Sequence, residues 1–252
     1  METAALKHVG LWQKLLWSAA ALGLWELTAG SGRVSPLLLP SPRAVLNALL
    51  RGAGEGTLLL QLGQSLSLVV VGLAVGLVLA VIMAWGDYAV PGLRHLLSLM
   101  AAALHPLPGV ALLPVVVIWA GVGLRAVFLI IIHAVLWSLF LNIRSGFRTV
   151  DRALVETARN EGATDFQVFR LVLLPCSTEA LTTGLQVGWS RGWRALIGAE
   201  MVFGAISSLG GIGWYIFERR AFMDTPGIYA GILVVALTGA VVEQLVFRHS
   251  EQ

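Results

Sequence analysis

The chain has 252 residues, of which 57% are apolar and only 12% charged, and its mean hydropathy is +0.82. A soluble domain carries roughly 25% charged residues, so the composition argues for a membrane protein, while a net charge of +3 with arginines spread along the loops argues against a nucleic-acid surface. Cys176 is the single cysteine, which excludes an intrachain disulfide and a thiolate metal cluster.

Six candidate spans follow in order. The first covers about residues 11–29. Lys7 and Lys14 precede its apolar stretch, Glu26 interrupts it and no small-residue cleavage site is evident, so it reads as an uncleaved span rather than a signal peptide. Leu39-Pro40-Ser41-Pro42 comes next, and Val45, Leu46, Leu49 and Leu50 then recur at helical spacing. A short helix lying along the membrane is expected there, capped by Ser41 with Pro42 in its first turn. The second span, residues 65–85, carries no charge, and its Gly72 and Gly76 form a small-residue packing surface. The third, 96–120, contains His105, Pro106, Pro108 and Pro114, and prolines remove backbone donors, so a broken or bent span is expected. The fourth covers 126–143, the fifth 181–203, and the sixth 227–247. The expected class is an all-α membrane protein with about six transmembrane helices, forming one domain over residues 1–252.

Between spans four and five, residues 144–175 form a polar interruption. Thr149 or Asp151 can cap a helix running to about Glu161, Gly162 supplies a positive-φ stop, and Thr164 can cap a second helix. Phe166, Phe169 and Leu173 make that helix amphipathic, and Pro175 ends it. The outcome is a helix-turn-helix knob, with an amphipathic linker resting on the membrane as the competing reading. Placing this loop in the cytoplasm collects Lys7, Lys14, Arg94, Arg144, Arg148, Arg152, Arg159, Arg170 and Arg248 on one side, against Arg33, Arg43, Arg51, Arg125, Arg219 and Arg220 on the other. Both termini are then cytoplasmic.

The order Glu156, Ala158, Gly162, Val172, Leu174, Pro175 resembles the EAA loop of permease subunits in binding-protein-dependent type I ABC importers. The spacing is kept throughout, with Thr157 at the second position and Val172 in place of isoleucine. Leu39-Pro40-Ser41-Pro42, Ala199-Glu200-Met201 and Gly211-Ile212-Gly213-Trp214 are similar to the nitrate/sulfonate/taurine-like branch of that family. The resemblance implies a multi-pass permease of the bacterial inner membrane, working with ABC ATPase subunits, an extracytoplasmic solute-binding protein and a second permease copy. It implies an ATPase-coupling role for Glu156, Ala158, Gly162, Leu174 and Pro175. It also implies that ATP and Mg belong to the partner ATPase, with no cofactor on this chain.

The residues themselves agree that this chain is not the ATPase. Its only lysines, Lys7 and Lys14, follow no glycine, so no phosphate-binding loop is present, and the five histidines form no His-Glu-x-x-His pattern. Gly188-Trp189-Ser190-Arg191-Gly192 fits the string of a hydrolase nucleophile elbow, but that elbow needs a strand before the serine, and here the string lies inside a span. An intramembrane hydrolase and a secondary transporter are the alternative classes; an EAA-like loop is needed by neither. Arg191 and Arg194 share a helix face in span five, and Glu200 lies further along it. Charge at membrane depth faces protein or water, so Arg191, Arg194 and Glu200 are candidates for a translocation path, with a cationic lining for an anionic solute set against plain snorkelling or helix pairing; His105, beside Pro106 and Pro108, is the fourth candidate, as a constriction at the kink set against a buried, neutral, hydrogen-bonded histidine.

Overall fold

The computed structural model describes residues 2–204 and 210–247, and every regular element among them is helical. The helices are α1 (Glu2–Gly30), α2 (Pro42–Gly54), α3 (Thr57–Ala89), α4 (Pro91–Leu104), α5 (Leu113–Ala120), α6 (Leu124–Thr149), α7 (Arg152–Asn160), α8 (Asp165–Val168), α9 (Leu174–Cys176), α10 (Thr178–Phe203), α11 (Ile212–Ala221) and α12 (Thr225–Val242). Arg248 and His249 lie outside the described residues.

Among the described residues, three helices are long and apolar enough to cross a membrane: α3, α6 and the stretch Thr225–Leu245. Two bent pairs raise the total to as many as five: Pro91–Leu104 with Gly109–Ala120, turning by 97°, and Asp165–Cys176 with α10, turning by 72°. These correspond to spans two to six of the sequence. The first expected span is a helix of 29 residues, α1, but Gln13, Lys14 and Glu26 leave it outside the set that passes the same hydropathy test. The expected break in the third span is present: α4 stops at Leu104, Pro106 and Pro108 interrupt the helix, and a short 3-10 turn over Gly109–Leu112 leads into α5.

Contacts divide the chain into two compact units, Met1–Leu59 with Tyr215–Val234, and Leu60–Trp214 with Val235–Gln252. In the first unit, Ser41 caps α2 by accepting from the Ala44 N–H and Pro42 opens the helix, as its sequence predicts. The apolar face of α2 is divided. Val45 and Ala48 are buried with Ala230 against Trp25, Leu49 and Tyr229, whereas Leu46 and Leu50 remain exposed. The Trp25 indole N–H donates to the Pro40 carbonyl at 2.9 Å, which ties α1 to the proline-rich turn.

The second unit is organised around α6 and α10. Gly184, Gly188 and Gly192 recur every fourth residue on α10, and a Cβ at each would meet α6, at Asn142 for the first and Val135 for the other two, with Leu73 of α3 also close to Gly188. Small residues let helix backbones approach closely, so this stripe sets the α6–α10 contact. The Gly72 and Gly76 pair of α3 packs in the same way on Ile131 and Val135 of α6. The nucleophile-like string around Ser190 therefore lies in the middle of a continuous helix, with its glycines used for packing.

Candidate functional site

Three polar assemblies stand out, all in the second unit. The first is the knob that follows α6. Asp151 caps α7 by accepting from the Ala153 N–H at 2.9 Å, while Thr149 ends α6, which settles the choice of cap in favour of Asp151. Gly162 has φ +85°, a conformation that costs a residue with a Cβ. Thr164 and Gln167 then form a reciprocal capping box at the start of α8. Arg159 donates to Asp165 at 2.9 Å and to the Tyr88 hydroxyl at 3.0 Å, closing the turn and tying it to the end of α3. Tyr88 and then Asp165 push the pKa of Arg159 above its ordinary value.

From Asp165 to Cys176 the chain forms one rod with a wide π-helical turn over Phe169–Leu173. Pro175 lacks an N–H, and its ring would crowd the Leu171 carbonyl in a regular helix. A wider turn relieves that clash. The rod runs to Cys176, one residue beyond the stop that the sequence predicts at Pro175, and bends at Ser177. Its apolar face is anchored, with Phe169 5.1 Å from Trp85 and 5.6 Å from Phe147, ring centre to ring centre. Phe166 meets Trp85 edge-on at 5.4 Å and stays about half exposed. By contrast α7 buries none of its residues. Among the described residues, Glu156 is held by Arg152 alone, at 2.8 Å, in an exposed i,i+4 pair of the kind that contributes about 0–1 kcal/mol. Glu156 and Gly162 are exposed, as is Pro175, while Ala158 and Leu174 are half-buried.

The second assembly is a cavity of about 370 Å³ at the broken third span, lined by His105, Arg191, Arg194, His133 and Trp137 among others. The break places His105 against α10: Arg191 donates to the His105 carbonyl at 3.3 Å, and its guanidinium lies 3.2 and 3.3 Å from the two ring nitrogens. Arg194 folds back and donates to the Ser190 carbonyl at 3.0 Å. Neither arginine meets a carboxylate among the described residues. Both ring nitrogens of His133 are buried, facing the Leu104 backbone without a well-formed hydrogen bond. Sequence reasoning did not single out His133. Its signal was available, as the one polar side chain in the run Leu129–Trp137, where a polar residue at membrane depth marks a path or a pairing.

The third assembly holds Glu200, which is 1% exposed and stands apart from the cavity. The Ser65 hydroxyl lies 2.8 and 2.9 Å from its two carboxylate oxygens, and the Gly213 N–H donates to Oε2 at 2.8 Å. Ser65 Oγ in turn accepts from the Ile212 N–H at 2.9 Å. A Cβ at Gly211 would collide with the Glu200 carboxylate, and one at Gly213 would come within 2.8 Å of the Ile197 carbonyl. The segments Ala199-Glu200-Met201 and Gly211-Ile212-Gly213-Trp214 are thus two halves of one lock. Of the four path candidates in the sequence, three share the cavity and Glu200 does not.

Residues 76–250 match the family of binding-protein-dependent transport system inner membrane components. This chain belongs to that family. The permease is 30% identical over 230 residues to the taurine transport system permease protein TauC of Escherichia coli (strain K12), spanning 89% of this chain and 82% of that one. It is 28% identical over 225 residues to a protein of the same organism described as an aliphatic sulfonates transport permease, SsuC, spanning 86% and 81%. Among solved structures, an inward-facing form of the MetNI methionine ABC transporter matches with a TM-score of 0.55 at 16% identity, over 75% of this chain and 96% of that one. At that identity the likeness speaks for the fold, and it bears out the expected all-α membrane class. The relatives bear out the nitrate/sulfonate/taurine-like branch. The permease is a transport component of the inner membrane, and membership implies a solute-binding protein and an ATPase as partners.

Proposed function

We propose that this permease forms the path of an ATP-driven importer for a small organic anion of the sulfonate class. The observation that carries the reading is the cavity in which Arg191 and Arg194 meet no carboxylate among the described residues. A guanidinium presents five donors in a fixed fork that suits an oxyanion. The sulfonate oxygens would take donors from Arg191, with His105 and His133 beside it and Trp137 as an apolar wall. The names of the taurine and sulfonate relatives support the same chemistry. The solute would be delivered by a binding protein on the outer face.

The coupling end would be α7 with Gly162. An exposed helix with no core of its own, joined through a fixed turn to a rod that is anchored on Trp85 and Phe147, is suited to receiving a push and passing it into α10. Glu156, Ala158 and Gly162 would meet the ATPase, with Leu174 and Pro175 transmitting at the bend. ATP and Mg would be held by that separate subunit. Two copies of the permease would complete the path, and both termini would lie in the cytoplasm.

The test is uptake of labelled taurine or a short alkanesulfonate into proteoliposomes holding the permease, its ATPase and its binding protein. Uptake is expected only with ATP on the ATPase side and binding protein on the other, both together. Uptake driven by an ion gradient without ATP would replace this reading with a secondary transporter. Gly162→Val, at a position with φ +85°, is expected to abolish stimulation of ATP hydrolysis by the loaded binding protein while the permease still inserts in the membrane; undiminished stimulation would remove α7 from the coupling role.

A further inference from the structure

A second cavity, of about 250 Å³, lies at the root of α7, where the ends of α3 and α6 meet the start of α4. Four arginines line it, Arg94, Arg144, Arg148 and Arg152, against one carboxylate, Asp87. Asp87 is buried and lies 3.3 Å from Arg144 Nε and 3.8 Å from Arg94 Nε. Arg152 meets Glu156 through Nε as well. Contacts through Nε leave the forked Nη groups to serve as donors. Arg148 has no hydrogen bond or ion pair among the described residues. The cavity therefore holds more positive charge than the fold balances.

Its floor is apolar, with Phe147 and Leu173 in the lining. Arg94 stands on the first turn of α4, and the next turns of that helix expose Leu96 at 52% and Leu99 at 71%. A ligand with an anionic head and an apolar tail meets both features at once. The geometry points to a binding site for the phosphate group of an anionic glycerophospholipid, gripped by Arg94, Arg144 and Arg148 beside the coupling helix. Forked guanidinium donors match phosphate oxygens, and basic pockets between transmembrane helices commonly take lipid heads. A lipid seated there bridges α4 and α6 to α7 and stiffens the base on which the knob stands. Free phosphate offers the same oxygens without the tail, so the two sources separate in an experiment.

The full permease, reconstituted in phosphatidylcholine nanodiscs, is titrated with phosphatidylglycerol and, separately, with inorganic phosphate, and bound lipid is counted by native mass spectrometry. Phosphatidylglycerol is expected to be retained selectively, and inorganic phosphate to displace it only weakly. Arg148→Ala, at an exposed side chain with no internal partner among the described residues, is expected to lower retention about fivefold, with most of the loss restored by Arg148→Lys. Arg125→Ala is the control and leaves retention unchanged. Equal retention of both lipids, or an Arg148→Ala variant that binds as the parent does, overturns the site. Displacement by inorganic phosphate at matching concentration overturns the lipid assignment in favour of a soluble phosphate. The readout is bound lipid, so it is independent of the solute proposed above.

Discussion

Two stretches of α10 treat charge in opposite ways. Near its end, Glu200 is sealed, with a serine hydroxyl and a backbone N–H on its carboxylate and glycines shaped around it. Two turns earlier, Arg191 is half-buried, borders a 370 Å³ cavity and, among the described residues, hydrogen-bonds to His105 alone. Both are ionisable residues in one apolar helix, and both carry the same rarity argument in the sequence. Geometry separates them. A charge whose donors are all supplied by the fold acts as a fastener, and one with spare donors facing space is equipped to hold something else.

The contrast breaks or sharpens under substitution. Glu200→Ala is expected to be the most damaging change. It strips partners from Ser65 and from the Gly213 N–H, each buried orphan costing about 1–3 kcal/mol, so thermal unfolding in detergent should fall furthest for this variant. Ser65→Ala should follow, with a loss of about 1–3 kcal/mol from the same lock, because Glu200 and the Ile212 N–H each lose one partner. Arg191→Ala should leave unfolding nearly unchanged and cut uptake about tenfold, the equivalent of one charge-assisted hydrogen bond of roughly 1.5 kcal/mol. Arg194→Lys should have the smallest effect, a change in uptake within about threefold with anion preference kept, since the charge survives and only the fork is lost. If Arg191→Ala unfolds the permease as readily as Glu200→Ala does, the distinction between fastener and ligand group collapses.

What the sequence makes legible follows from the range of the interactions. Asp151, Gly162 and the Thr164–Gln167 box act within a few residues, so their pattern alone is enough to announce the knob. The broken third span is equally local, because Pro106 and Pro108 cannot continue α4. Glu200 is different. Its partner Ser65 is 135 residues away, in another helix, and nothing in the spacing links them. His105 and Arg191 stand out separately in the sequence, yet only the corner at residues 105–108 brings them together across 86 positions. The wide turn before Pro175 also has no signature of its own, since a proline near a helix end ordinarily reads as a stop.

That corner also governs hydration. The Pro106 and Leu107 carbonyls fall between the pairing of α4 and that of the 3-10 turn, at the corner where the chain turns by 97°. Acyl chains cannot satisfy such groups, and irregular backbone at this depth survives only where protein covers it or water reaches it. Cysteines placed at Leu107 and at Ile118 should then report different surroundings: the first open to a water-borne thiol reagent or shielded by a neighbouring subunit, the second lodged in oil.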